Sequence, residues 1–438
     1  NASGLTTTGL TSGTIVVQGV QASKFLIPGK LKVKRKWNKI SPNEHRNMLD
    51  RDTQSIQAEN QTTIEEFSQV LYPENSLWLA YMLVGSAPTV TTLPASPTAL
   101  LAATAVSGSP LSLTTQPAFP GMKLQLVVAS SSAVGSIVIS GGTDQYGNTG
   151  QGETITANAG GSNGNGTYYT SLVYSALSAS CFTITGLTSG TLAVNGVFGW
   201  KYVFNPSSQD TLYSIALEFY TGVETDALPF AMLNEATIEF GVENKELTLS
   251  GKGIAQDKLI IGDRTTNPMS DNRMTSLGQP TDLGMAGWTG LCYIDATAGA
   301  VPTTQFGDVL SGKFNFKNPL KPGYTLTNSQ LYNRVTRGKR ETTFEVLLDQ
   351  TNVLQIEATR QNITQYITFA FYGTPIGGGN QKTWQFTFPF TYEELEVNST
   401  PDMERVEATA TGRAKYDSGL GASYLLTIIN QTPPTYTS

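Results

Sequence analysis

The chain has 438 residues, with 28 Lys and Arg against 34 Asp and Glu, and the resulting net charge of −6 excludes a nucleic-acid binder acting through overall charge. Charged residues make up only 14%, against a usual ~25%, while 43 Gly and 21 Pro favour a turn-rich chain over a helical one. One histidine and two cysteines leave histidine-based zinc sites, Ser/Cys-His catalysis and a disulfide framework without raw material, and no cofactor motif is present.

At roughly 150 residues per domain, two or three domains are expected. The chain opens Asn1-Ala-Ser-Gly with neither a basic nor a hydrophobic leader, and without Met, so a short leading segment is expected before it. Gly29-Lys-Leu-Lys-Val-Lys34 reads as a period-two strand with one polar face. It lies within a basic run made of Lys30, Lys32, Lys34, Arg35, Lys36 and Lys39. His45, in Ser41-Pro-Asn-Glu-His-Arg-Asn47, reads as an exposed loop residue. Thr62 to Leu71 is expected to be helical, because a Thr cap and early acids precede apolar residues at 64, 67, 70 and 71. Pro73 ends that stretch, and Leu77 to Val84 is a second helix candidate. This apolar run has 8 residues where a spanning helix needs about 20, so the chain is read as soluble.

Composition then changes abruptly. Between Asn75 and Trp200, 126 residues, the only charges are Lys123, Asp144 and Glu153, which marks a separate domain over residues 88–200. Ala87 to Pro117 reads as an entry strand and tether. Lys123–Val128, Ser136–Ile139, Glu153–Thr156, Tyr168–Tyr174, Cys181–Thr185 and Thr191–Val194 follow as short strands, punctuated by turns at Gly141–Asp144 and Tyr146–Asn148. Gly160-Gly-Ser-Asn-Gly164 fits the nucleophile-elbow pattern, but no helix-forming run follows, so it reads as a loop. The Gly-Lys pairs at Gly29, Gly251, Gly312 and Gly338 lack the Ser or Thr of a phosphate loop.

Leu212–Tyr220 and Ala236–Val242 alternate as strands and return to the first domain, residues 1–87 and 201–255. Residues 256–305 form a Gly-punctuated linker whose Trp288 and Cys292-Tyr-Ile294 should pack. The last domain, residues 306–438, holds strands at Trp384–Phe388 and Val406–Ala410, with Asn352–Tyr372 as an ambiguous helical counterpart.

The two outer domains repeat one another. Gly29-Lys-Leu-Lys-Val-Lys34 answers Gly312-Lys-Phe-Asn-Phe-Lys317, Thr62-Thr-Ile-Glu65 answers Thr342-Thr-Phe-Glu345, and Glu246-Leu-Thr-Leu-Ser-Gly-Lys252 answers Glu407-Ala-Thr-Ala-Thr-Gly-Arg413. The first and last of these elements lie 217 residues apart in the front copy and 95 in the back copy. The excess of 122 matches the charge-poor window, so that window is read as an insertion into the first repeat.

This order of motifs, with Gly338-Lys-Arg-Glu341 before the second T-T-x-E, resembles the tail tube proteins of long, non-contractile-tailed bacteriophages. The insert, with Gly142-Thr-Asp-Gln-Tyr-Gly-Asn148 and Gly186-Leu-Thr-Ser-Gly-Thr-Leu-Ala-Val194, is similar to the immunoglobulin-like domains that decorate such proteins. The resemblance implies a mainly β fold: two tail-tube-type β-barrel or sandwich domains, each with a flanking helix, plus an inserted immunoglobulin-like sandwich. It also implies a structural virion protein rather than an enzyme, assembled in the host cytoplasm. Rings of itself would stack into a conduit that passes genomic DNA without specific binding, and its other partners would be tape measure and tail terminator proteins, with no membrane. Two tube repeats per chain predict trimeric, pseudo-hexameric rings. The basic run is expected at a ring-to-ring contact, meeting acids such as Glu65, Glu66, Glu393, Glu394 and Glu396; a DNA-contacting patch is the other reading. Two further classes compete: an immunoglobulin-like adhesin or virion decoration protein binding cell-surface glycans, and a glycan-cleaving enzyme using Asp50 and Asp52 or Glu393 and Glu394.

Overall fold

Alternating apolar and polar residues turn most of the chain into strands. The computed structural model describes residues 29–40, 56–74, 77–130, 134–158, 163–206, 214–220, 224–243, 246–263, 284–300, 302–326, 330–349, 361–398 and 407–434. The chain is mainly β, with several antiparallel sheets.

The body begins with β1 (Gly29–Ile40), β2 (Ile56–Val70), helix α1 (Leu77–Val84) and β3 (Thr89–Leu93). Eight strands follow in the charge-poor region: β4 (Thr98–Ala105), β5 (Lys123–Ala129), β6 (Gly135–Thr143), β7 (Thr149–Ala157), β8 (Gly166–Tyr169), β9 (Ala176–Leu177), β10 (Phe182–Thr185) and β11 (Thr191–Val197). The chain re-enters the body through β12 (Gly199–Phe204), β13 (Ile215–Tyr220), β14 (Glu224–Gly241), β15 (Thr248–Ala255) and β16 (Leu259–Asp263). β17 (Gly290–Asp295) and β18 (Gln305–Phe306) lead into β19 (Val309–Lys317), β20 (Leu320–Gly323), β21 (Arg334–Arg337) and β22 (Glu341–Asp349). β23 (Gln365–Gly377), β24 (Asn380–Asn398), β25 (Glu407–Ala414) and β26 (Leu425–Asn430) complete it.

One expected helix is a strand. Residues 62–71 belong to β2 and its end, and the reason lies in one extra residue. Buried side chains alternate at Thr62 and Ile64, then at Phe67, Gln69 and Leu71. Between them the pairing with β1 slips, Val33 facing Ile64 while Lys32 faces Glu66. That bulge lengthens one step of a period-two pattern from two residues to three and so imitates the helical stripe. Leu77–Val84, by contrast, is helical, and all eight of its residues are buried. It is apolar all round because it lies inside the core. In the second repeat Gln365–Tyr372 is strand, and residues 350–360 lie outside the described residues. Of the packing expected of the linker, Cys292 is buried on β17, which pairs with β23, while Trp288 is exposed.

The charge-poor segment packs a core of its own. One sheet runs β4-β11-β5-β8; a second runs β10-β6-β7 with β9 beside β6. Leu100, Leu124, Leu126, Val128, Leu192 and Val194 of the first meet Ile137, Ile139, Leu177 and Phe182 of the second in one cluster, separate from that of the body. The segment is rooted by its two ends: β3 and β12 pair with each other, and β12 pairs on its far side with β26.

The segment's three charges all hold loops. Asp144 accepts from the backbone N–H groups of Tyr146 and Asn148 and from Asn148 Nδ2, which fixes the expected turn. Glu153 accepts from the N–H groups of Ser171 and Leu172 and from the Tyr174 hydroxyl. Lys123 is buried at the foot of the segment and donates to the carbonyls of Ser171 at 2.9 Å and Thr170 at 3.4 Å.

Burial pushes the Lys123 ammonium down to about 8, against the pull of Glu74 and Glu153. With the folded value below the unfolded one, the unfolded chain binds more protons above pH 8, so stability rises with pH there. Chemical denaturation should give a gain of about 2 kcal/mol between pH 7.5 and 9.5, and Lys123→Met should abolish that slope. An unchanged slope in the variant would assign the pH dependence to another group.

Candidate self-association surface

The body sheet contains one arrangement twice. Its strand path runs β1-β2-β15-β14 and continues directly as β19-β22-β25-β24. The three sequence matches fall on equivalent strands of these two sets. Beyond them, β13 and β16 flank the lower part of β14 as β23 and β26 flank the lower part of β24.

A shared irregularity fixes the equivalence residue by residue. In the β14–β15 pair the register slips between Leu233 and Glu235, bulging Asn234; in β24–β25 it slips between Tyr392 and Glu394, bulging Glu393. Gly253 then opposes Ile64 where Gly412 opposes Phe344, and Val33 opposes Ile64 where Phe314 opposes Phe344. Motif matching had aligned Gly251 with Gly412 and Leu31 with Phe314. Both strands are therefore offset by two residues from their motif alignment, an even number that leaves each side chain on its expected face.

The two sets are joined by β14 and β19, which pair antiparallel from Glu235↔Lys317 to Gly241↔Ser311. On the polar face, Lys313 Nζ lies 3.4 Å from Glu239, and the Thr237 hydroxyl donates to Asn315 Oδ1 at 2.9 Å. On the core face, Ile238 and Phe314 are both fully buried. Phe240 covers Gly312, where a Cβ would meet its ring at 2.5 Å. The Phe240 ring lies 5.6 Å from Phe314, 5.2 Å from Phe369 and 5.1 Å from Phe371, so an aromatic cluster spans the joint.

The path is open at both ends of this eight-strand run. Among the described residues β1 forms a ladder only with β2, and the Thr391–Asn398 part of β24 only with β25, since the pairing of β24 with β23 reaches Phe390 and that with β26 reaches Thr387. The basic run lies on the first of these edges. Lys32 and Lys34 reach Glu65 at 3.2 and 3.5 Å, and their hydrogen bonds and charges, led by that of Lys32, hold the Glu65 carboxyl below its ordinary value. Arg35 turns to the core side, 3.1 Å from Asp257, and donates to the Lys258 carbonyl. Lys30 and Lys36 are exposed, and Lys39 is opposite Gln57 in the register.

Of the acids proposed as partners, Glu65 is adjacent in the same sheet and Glu66 is opposite Lys32. Glu393 pairs with Arg413 at 3.1 Å, and Glu394 and Glu396 stand exposed on the far edge. His45, Asp50 and Asp52 lie outside the described residues. Among the described residues no three His, Cys, Asp or Glu side chains gather as metal ligands, and no helix is long and apolar enough to cross a membrane. Both cysteines are free and buried, and burial raises both thiols above their ordinary value. What the sequence reading missed is the joint itself, whose signal was the Glu-x-Thr-x-Glu alternation at Glu235–Glu239 facing Lys-x-Asn-x-Lys at Lys313–Lys317.

Neither the protein-family models nor the curated proteins with which the chain was compared match it.

The aromatic joint should dominate the stability of the body. Phe314→Ala is expected to lower the unfolding free energy by about 3–5 kcal/mol, and Val33→Ala, at the equivalent place on the open edge, by less than about 2 kcal/mol, both read by urea denaturation. Equal losses at the two sites would contradict the joint's role.

Proposed function

We propose that the chain is the structural subunit of a phage tail tube, which self-assembles into stacked rings around a conduit for DNA. The observation that carries this reading is the edge-to-edge union of two equivalent strand sets within one chain, with an edge at each end that is free among the described residues. Such a unit adds to itself side by side, and a head-to-tail contact of this kind either closes into a ring or grows without limit. Exposed strand edges are otherwise an aggregation hazard that soluble monomers cover.

In this reading each strand set, with its flanking strands, is a tail-tube-type domain. The sheet is open among the described residues, so the cylinder closes only between chains. The two-sheet segment fits an immunoglobulin-like decoration held outside the ring on the paired stem of β3 and β12. Three chains supply six strand sets, hence trimeric pseudo-hexameric rings. The tape measure and terminator proteins would be end partners, and DNA would pass without sequence-specific contact.

The polar face of the sheet suits a conduit. Lys252, Lys313 and Arg413 each lie within 3.5 Å of an acid, Glu235, Glu239 and Glu341 respectively, so neither sign dominates. A strongly cationic wall would hold the phosphates, whereas balanced charge lets them slide.

Purified protein imaged by negative stain at rising concentration should form tubes with a regular axial repeat, and rings caught before stacking should have the mass of three chains. Protein that stays monomeric at every concentration would overturn the proposal, and rings of six chains would overturn the pseudo-hexamer.

A further inference from the structure

The joint between β14 and β19 is a template for a contact that the single chain leaves unmade. Equivalence through the shared bulge maps Glu235 to Glu394, Ile238 to Val397 and Glu239 to Asn398. Pairing with β2 and β22 maps Phe314 to Val33, Asn315 to Lys34 and Lys317 to Lys36. Transferring the β14–β19 register to the free edges sets Glu394 opposite Lys36, Glu396 opposite Lys34 and Val397 opposite Val33.

Three independent features of those edges agree with the transferred register. The charges complement one another: the β24 edge offers two carboxylates on the polar face at the two positions where the β1 edge offers two ammonium groups. The apolar positions agree as well. Ile238 is 0% exposed because β19 covers it, whereas its equivalent Val397 is 42% exposed. Val33 already packs against the body core with one side and would meet Val397 with the other. Finally, both edges are unpaired on their outer side among the described residues, β1 over Gly29–Ile40 and β24 over Thr391–Asn398, so the shorter edge fits within the longer.

We propose that β1 of one copy pairs antiparallel with residues 391–398 of β24 in a second copy of this chain, in the register Glu394↔Lys36 and Glu396↔Lys34. The basic run thus makes the side-by-side contact within a ring rather than the contact between stacked rings. This inference rests on the self-assembling reading above and names the surface that performs it. Opposite charges directly across an antiparallel pair are favourable, and like charges there are repulsive.

Four proteins test it: wild type, Lys34→Glu with Lys36→Glu, Glu394→Lys with Glu396→Lys, and all four substitutions in one chain. Light scattering after size exclusion would measure assembly, and far-ultraviolet circular dichroism would check folding. Each double reversal should keep its strand spectrum and raise the concentration at which rings appear at least about tenfold. The fourfold exchange, which restores opposite charges at both pairs, should return assembly to near the wild-type concentration.

If wild type forms rings and the reversals do so equally well, or the exchange fails to restore them while folded, the register is wrong and the tube reading stands. If wild type itself never assembles, both fall. A reversal that lost its strand spectrum would be replaced by Lys36→Gln with Glu394→Gln, which removes one cross-edge pair without like-charge contact and should still raise the assembly concentration.

Discussion

The pairing of β14 with β19 is the constraint on which the rest of the body depends. It joins two strand sets that would each otherwise end in a bare edge, and it does so with both faces specified. The polar face carries the Glu239–Lys313 pair and the Thr237–Asn315 hydrogen bond; the core face carries Ile238 against Phe314 and Phe240 over Gly312. An exposed ion pair contributes little, about 0–1 kcal/mol. Burying a Phe contributes about 1.5–3 kcal/mol, and each well-placed ring pair about 0.5–1.5 kcal/mol more. The aromatic face therefore supplies the strength and the polar face supplies the register, because a slip by one residue would exchange the two faces.

The charge-poor segment obeys a different economy. Its core draws on both of its sheets and needs no ion pairs, since the backbone groups of its strands are satisfied by the ladders themselves. Charge is used only where the backbone leaves the ladder: Asp144 closes a turn, and Glu153 and Lys123 take up donors and acceptors of the 170–174 stretch. Burial of Lys123 is costly, and its lowered basicity expresses that cost. The segment nevertheless meets the body beyond its two-strand stem, since Val197 and Tyr169 pack with the body core and the Tyr169 ring lies 5.3 Å from that of Trp200.

The strand sets and their repetition were legible in the sequence because period two and motif order survive local irregularity. Leu77–Val84 was legible as a helix from an unbroken apolar run of helical length. The stretch Thr62–Leu71 misled because a bulge converts one step of a strand into the spacing of a helix, and a bulge has no side-chain signature of its own here. The motif alignment misled by two residues for a related reason: matching letters carries no information about which partner residue lies across the ladder. Least legible was which strands would be edges. The basic run of β1 and the acids Glu394 and Glu396 were visible as charges, but their placement at opposite ends of one eight-strand run is a property of topology.

That topology sets the size of any closed assembly. Three chains of eight strands, joined edge to edge, would make a cylinder of twenty-four. At about 4.8 Å between strands its backbone diameter is about 37 Å, and allowing about 5 Å of side chain on each wall leaves a bore of about 27 Å. Tilting the strands, which a closed sheet requires, widens it further. Such a bore is open where small barrels are filled by side chains, so the inward face must be the solvated one. The sheet meets that condition: its apolar face is already committed to α1 and the aromatic core, and its polar face presents interleaved Glu, Lys, Thr and Asn. A two-set chain has one further consequence. In the proposed ring half of the lateral joints would lie within single chains and carry the large aromatic residues, and the other half would carry valines and charge. The strong joints would form on folding and the weak ones on meeting a second copy, so closure would depend on subunit concentration.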